Sequence, residues 1–449
     1  MGSPPETSST TVTKLTRIAW LSSQDPHKQF DCLMHHFTAG ALEECFHQLD
    51  GRKAVGVDGV SKAEYAQRLD YHLQDLEARL QRMAYRPEPV LRVRIPKEGQ
   101  PHATRPLGIS TLEDKIVQRM IHRVLESIYE PLFLDCSYGF RPGRGCHDAI
   151  RALNHHLHRC EVQTVIDVDL AGYFDSVSHA LLDTVLRQKI RDERLLRYLH
   201  RMFKAGVLEA GELSVSEEGV PQGSICSPIL ANVFAHEVID TWITTMVQPH
   251  CAGQVALFRY CDDLVICCQY DSDAQRIRQA LPKRLARYQL RLNEEKTRMV
   301  SFSKRAYQQH RTPASFDFLG FTFYWGRSRT GMVIPKVKTQ GRRLRTKLVR
   351  VSVWAREIRN RERLLVIWKL FCAKLQGHIR YYGVSFNYGA VSKFVLAATR
   401  ILFKWLNRRS QRKSFNWDQF RRFLRRYPLP RVKVYHPLFG ALSPGKVLS

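Results

Sequence analysis

Acidic residues nearly vanish from the last quarter of this 449-residue sequence: from position 331 onward there are 28 lysines and arginines but only 3 aspartates and glutamates. The preceding 330 residues hold 42 and 39, so the formal net charge of +28 sits almost wholly in the C-terminal part. A merely solvated surface mixes both signs; one that does not points to a polyanionic partner. The eleven cysteines form no C-x-x-C pair and no Cys/His cluster at zinc-ligand spacing, which excludes a zinc module and fits free thiols in a reducing compartment. No apolar run reaches membrane-spanning length, no signal-peptide pattern opens the chain, and Gly2 is followed by Glu6 where a myristoylation motif takes Ser or Thr. A cytoplasmic protein with no membrane partner is expected.

What is present is ample core material, 44% hydrophobic residues, in a length that suits two or three domains. The most informative stretch is Phe258-Arg259-Tyr260-Cys261-Asp262-Asp263-Leu264-Val265-Ile266. Its apolar flanks predict a buried strand, in which two adjacent carboxylates are costly unless they turn at a hairpin and bind cations. Hard divalent ions take oxygen ligands, and a two-metal phosphoryl-transfer centre needs one more carboxylate. The β-branched run 162–170 offers Asp167 and Asp169 on one face. Asp169, nearer the strand end and shortly before Phe174, is the better candidate, while Asp175 reads as a helix cap.

Other motifs flank these. Residues 1–14 read as a disordered tail, 18–48 and 62–83 as helical, and 90–95 as a strand. A hairpin follows with Lys97 on one arm and Arg105 on the other; it suits a triphosphate, or is simply an exposed pair of cations. Tyr138-Gly139-Phe140-Arg141-Pro142-Gly143-Arg144 brings glycines beside Arg141 and Arg144, fit for a phosphate backbone or for a plain loop. Pro221-Gln222-Gly223 is a turn that can carry the Gln222 amide to a substrate edge, before a helix over 229–246. Lys296, in Leu292-Asn293-Glu294-Glu295-Lys296-Thr297, is either a general acid for a phosphate leaving group or a solvated lysine.

Taken in order, Gly56-Val57-Asp58-Gly59, the Pro96-Lys97 to Pro106-Leu107-Gly108 hairpin, Tyr138 to Arg141, Asp169 to Asp175, Pro221-Gln222-Gly223, Tyr260 to Asp263, Leu292 to Thr297 and Phe318-Leu319-Gly320 resemble the reverse transcriptases of bacterial group II introns. The resemblance spans about residues 50 to 390. It implies an α+β right-hand polymerase, with fingers and palm over 15–325, a helical maturase-like thumb over 326–405 and a basic nucleic-acid-binding extension over 406–449, and an organisation without an endonuclease module. Asp169, Leu170, Asp262 and Asp263 would hold two Mg²⁺ ions, with Mn²⁺ as the alternative. Lys97 and Arg105 would contact the dNTP triphosphate and Gln222 would line its pocket. Phe174 would exclude a 2′-hydroxyl, and Lys296 would protonate or steady the pyrophosphate. Arg141, Arg144, Tyr260, Arg380 and Tyr381 would contact nucleic acid. Two departures stand out: Cys261 where the family usually has Ala, and Ser224-Ile225-Cys226 where it commonly has Gly-Gly-Val.

The partners so implied are an RNA template, a DNA or RNA primer, dNTPs, structured intron RNA and target DNA. Helices expected over 344–358, 364–375 and 391–405, with a break at 376–383, suit duplex recognition by phosphate and shape. Two alternatives remain: a free-standing relative in DNA repair or phage defence, and a non-catalytic splicing cofactor, which the intact acidic triad disfavours.

Overall fold

The computed structural model describes residues 11–96, 104–209, 212–214, 218–219, 223–309, 314–409 and 416–439. Its strands are β1 (Val90–Pro96), β2 (Thr104–Ile109), β3 (Thr164–Asp169), β4 (Val207–Glu209), β5 (Glu212–Ser214), β6 (Val255–Tyr260), β7 (Asp263–Cys268), β8 (Arg298–Ser301), β9 (Phe316–Phe318), β10 (Phe321–Arg327) and β11 (Val333–Thr339). They make three sheets, ordered β2-β1-β4-β5, β6-β7-β3-β8 and β11-β10-β9, surrounded by helices. The mixed helix-and-sheet character expected from the sequence is present. Among the described residues no helix is long and apolar enough to cross a membrane.

Alternation along β3 organises the middle of the chain. It pairs antiparallel with β7 on one side and β8 on the other. Side chains of a strand point alternately to its two faces. Ile166 and Val168 enter one hydrophobic core with Leu264 and Ile266 of β7, whereas Val165 enters a second core with Val265 and Cys267. The sheet is therefore a wall shared by two cores. By the same parity Asp167, Asp169 and Asp263 all face the second core's side.

The first core is built on the helix Leu112–Tyr129, capped by Thr111, whose side chain accepts from the Asp114 amide. Ile116, Val117, Met120, Ile121, Val124, Leu125 and Ile128 fall on its inner face at helical spacing and are fully buried. The helix Thr11–Gln24 begins inside the stretch expected to be disordered, because Leu15 and Ile18 are buried in this core. The expected β1–β2 hairpin is present, with Ile95 opposite Arg105. Lys97 and Gln222 lie outside the described residues. The expected helix 229–246 is α-helical only over Ser227–Ala235 and continues as wider π-helical winding over His236–Thr241 and Ile243–Val247.

The second core joins β9, β10 and β11 to the helices Gly341–Ile358, Leu364–Tyr382 and Tyr388–Leu406. The break expected at 376–383 is confined to its last residue, since the helix runs on to Tyr382. A glycine inside a helix costs only about 1 kcal/mol, and burial of Leu375, Ile379 and Tyr382 carries the helix through Gly377. It stops at Gly383, where a Cβ would lie 2.5 Å from the Ile379 carbonyl and 2.6 Å from that of Lys433.

The helix Trp417–Arg426 buries Phe420 completely in the second core, with Trp417 stacked on Phe403 at 3.9 Å and Phe423 edge-on to Trp368 at 5.0 Å. These interleaved aromatics are packing residues. The chain then returns along Gly383, whose carbonyl accepts from the Tyr435 and His436 amides at 2.7 and 3.0 Å. The His436 ring stacks on His147 of the helix Cys146–Arg159 at 3.6 Å.

Candidate active site

Asp169 ends β3 directly across from Asp263, which begins β7, so two carboxylates share one register position and one sheet face. Cys261 and Asp262 form the two-residue turn joining β6 to β7. Cys261 has φ of +60°, a left-handed conformation that costs a non-glycine residue roughly 1–3 kcal/mol. Gly139 backs the turn: a Cβ there would stand 2.7 Å from the Cys261 nitrogen.

The end of β3 is stitched to the segment 291–297. The Asn293 amide donates to the Asp169 carbonyl at 2.8 Å, and the Asp169 amide donates to Thr297 Oγ1 at 3.3 Å. This brings Lys296 Nζ to 3.5 Å from Asp169 Oδ1. Leu170 has a buried apolar side chain, so its main-chain carbonyl is the oxygen it can offer a cation.

The acidic groups disfavour their own charge. Desolvation by close neighbours, then the Asp262 charge, push the carboxyl of Asp263, which still reaches solvent, up to about 6, against a smaller opposing pull from Arg343. Burial raises Asp262 as well, with Asp169 adding to it. Burial, then Asp263 and Asp317, push Asp167 up to about 7. Among the described residues no side chain donates a hydrogen bond to the Asp263 carboxylate. Carboxylates that raise one another in this way are suitable ligands for a hard divalent ion, although among the described residues no three acidic, His or Cys side chains already stand at metal-ligand spacing.

Around this acidic end, Gly172 at φ +58° turns the chain into a short 3₁₀ helix, Tyr173–Asp175. The Tyr173 hydroxyl donates to the Ala231 carbonyl at 2.6 Å, fixing the turn and leaving Phe174 half-buried beside it. Asp175 is not the expected helix cap: the next helix, His179–Arg187, has Ser178 at its N-cap position. Arg105 lies on β2. Gly223 presses against that strand so closely that a Cβ would lie 2.2 Å from the Gly108 carbonyl. Gln118, which the sequence did not single out, joins the two parts. Its amide donates to Ser110 Oγ and accepts from the Ile225 amide, both at 3.0 Å.

Two arginines expected to contact nucleic acid are held by partners within the protein. Arg141 is buried, and its guanidinium donates to the Glu130 carboxylate at 2.9–3.0 Å and to the carbonyls of Leu134 and Ser137 at 2.7 and 3.0 Å. Arg144 is turned onto the Asp135 carboxylate and carbonyl. Both hold their own loop together. Tyr381 is partly committed too, since its hydroxyl donates to the Leu319 carbonyl at 2.9 Å. Arg380 is exposed, and Tyr260 is half-buried with its ring 6.4 Å from that of exposed Phe140.

Residues 95–323, about half of the chain, match the family described as "Reverse transcriptase (RNA-dependent DNA polymerase)". The chain belongs to the reverse transcriptase family. Protein YkfC of Escherichia coli K12 is 35% identical over 314 residues, covering 63% of this chain and 78% of that protein. The group II intron-encoded protein LtrA of Lactococcus lactis is 39% identical over 154 residues, 34% of this chain and 25% of LtrA. Nuclear intron maturase 4 of Arabidopsis thaliana is 31% identical over 122 residues, 27% of this chain and 15% of that protein. This reverse transcriptase thus stands among RNA-directed DNA polymerases whose relatives include group II intron proteins and maturases. Enzymes of the family use divalent metal ions.

Proposed function

We propose that this reverse transcriptase is a right-hand polymerase of group II intron type. On this reading β6-β7-β3-β8 is the palm sheet, the β1–β2 hairpin belongs to the fingers, and the helices from Gly341 onward form a maturase-like thumb that includes Trp417–Arg426. The reaction is attack of a primer 3′-hydroxyl on the α-phosphate of a dNTP, with loss of pyrophosphate. The observation that carries this reading is the register of Asp169 against Asp263 beside the Asp262 turn.

Asp169, Asp262 and Asp263 would hold two Mg²⁺ ions, with the Leu170 carbonyl as a further oxygen. When bound, such ions neutralise charge on the attacking and leaving oxygens. Lys296, anchored beside Asp169, supplies a proton or a charge to the departing pyrophosphate. Lys97 and Arg105 bind the triphosphate and Gln222 borders the same pocket. Phe174 closes the space where a 2′-hydroxyl would sit. The basic C-terminal part, including exposed Arg380 and the outward arginines of Trp417–Arg426, binds the template-primer duplex. The intron names of several relatives support structured intron RNA as a further partner.

The test is primer extension by purified protein on an RNA template with dNTPs and Mg²⁺, beside the double variant Asp262→Ala, Asp263→Ala. Extension that the variant lacks supports the reading. Equal extension by both proteins defeats the site assignment.

A further inference from the structure

Arg259 sits in β6 three residues before Asp262. Its side chain is completely buried. All five N–H groups of its guanidinium are used. Nε and Nη2 each donate at 2.6 Å to the two oxygens of Asp240, itself fully buried. Nη2 also donates to Ser137 Oγ at 2.7 Å, while Nη1 donates to Asn232 Oδ1 at 3.0 Å and to the Cys261 carbonyl at 3.1 Å.

That last bond matters because the Cys261 carbonyl belongs to the peptide that carries Asp262. The network reaches the turn from its other side as well, since Asn232 Nδ2 donates to the Gly139 carbonyl at 2.7 Å and Gly139 lies against the Cys261 amide. Asp240 comes from the π-helical segment His236–Thr241, and Asn232 from the helix before it. Three separate pieces of chain thus meet at one guanidinium beneath a turn held in a left-handed conformation.

We propose that Arg259, with Asp240 and Asn232, is the positioning group of the catalytic turn: it fixes the Cys261-Asp262 peptide so that the Asp262 carboxylate stays beside Asp169 and Asp263. A buried ion pair is a weak device for stability, since a well-packed apolar replacement often serves as well. A planar fork that satisfies five acceptors is a strong device for geometry. Lysine cannot replace it, because a single ammonium cannot span Asp240, Ser137, Asn232 and the Cys261 carbonyl together.

The inference rests on the proposed metal-binding role of the acidic triad, and its test separates the two. Full-length protein carrying Arg259→Lys is compared with wild type and with Arg141→Lys, which disturbs another buried arginine-carboxylate pair in the neighbouring loop. Mn²⁺ affinity is read by calorimetry and by electron paramagnetic resonance, thermal midpoint by circular dichroism, and the Mg²⁺ dependence by primer extension. Both variants are expected to melt earlier. Only Arg259→Lys is expected to weaken Mn²⁺ binding and raise the Mg²⁺ midpoint, each at least tenfold. If Arg259→Lys does not fold, the double variant Arg259→Met, Asp240→Leu, which leaves no orphaned charge, takes its place with the same expectation. Wild-type metal affinity in a folded Arg259 variant, or an equal loss in Arg141→Lys, would falsify the proposal. If Asp262→Ala, Asp263→Ala binds Mn²⁺ and extends primers like wild type, the metal-site reading itself has failed.

Discussion

Lys296 Nζ lies 3.5 Å from Asp169 Oδ1, so a cation from the loop before β8 stands beside the carboxylate that ends β3. Both side chains are substantially open to solvent, and the pairing alone adds little to stability. Its worth is chemical. Lys296→Ala is expected to lower kcat for primer extension by on the order of 10²-fold, the lower range for a lost general acid, with a much smaller change in the dNTP KM. Single-turnover kinetics checks this, and an unchanged chemical step would return Lys296 to the status of a surface lysine.

The raised carboxyls give a signed pH dependence. Asp263 and Asp167 move from an ordinary 3.8 to about 6 and about 7, so between about 4 and 7 the folded metal-free protein holds more protons than the unfolded chain. Its stability therefore falls as pH rises through that window. Metal binding must expel those protons, and the thermal midpoint gained on adding Mg²⁺ should be larger at pH 8 than at pH 5.5. Melting curves with and without Mg²⁺ at the two pH values decide it; an equal gain at both would count against the cation site.

Phe174 is expected to act on sugar selection. Phe174→Ala should raise the relative kcat/KM for ribonucleotides by on the order of 10–100-fold, the range a steric clash commands, while extension with dNTPs persists. Competition between dNTPs and rNTPs at matched concentrations reads the ratio directly. No change would remove Phe174 from the pocket wall.

Buried and exposed arginines should part company in salt titrations. Arg141→Gln removes one partner of a buried pair and should cost about 3–5 kcal/mol of stability, yet leave the salt slope of RNA binding unchanged. Arg342 and Arg345 are exposed on the first turns of the helix Gly341–Ile358. Replacing both with Gln should reduce that slope by about 0.7–0.9 for each phosphate that is no longer neutralised.

Phe420 offers a test of where the C-terminal core ends. Its complete burial predicts that Phe420→Ala destabilises by about 3–5 kcal/mol. Chemical denaturation measures it; a loss under about 1 kcal/mol would return the helix Trp417–Arg426 to the status of an appendage.

Much of this arrangement was legible in the sequence because it is local. The acidic turn and the β1–β2 hairpin follow from residues close together in the chain. Asp167 and Asp169 could not be separated by facing, since a strand puts both on one side; the register against Asp263 separates them, and register is a tertiary fact. The roles of Arg141 and Arg144 stayed open in the sequence because a loop arginine beside glycines looks the same whether it waits for a phosphate or holds nearby carbonyls and carboxylates. Arg259 did leave a signal: a lone charge inside an apolar strand must find a partner. Its partner Asp240 lies 19 positions earlier, across a π-helical stretch that no local pattern announces.

The wall of strands between the two cores has a consequence for how the molecule comes apart. Val165 belongs to one core and its neighbour Ile166 to the other, so neither core can melt without stripping one face of β3 and β7. The halves are thereby denied independent unfolding. Calorimetry of the metal-free protein should show a single cooperative endotherm, with substitutions at Val165 and at Ile166 shifting the same peak rather than splitting it.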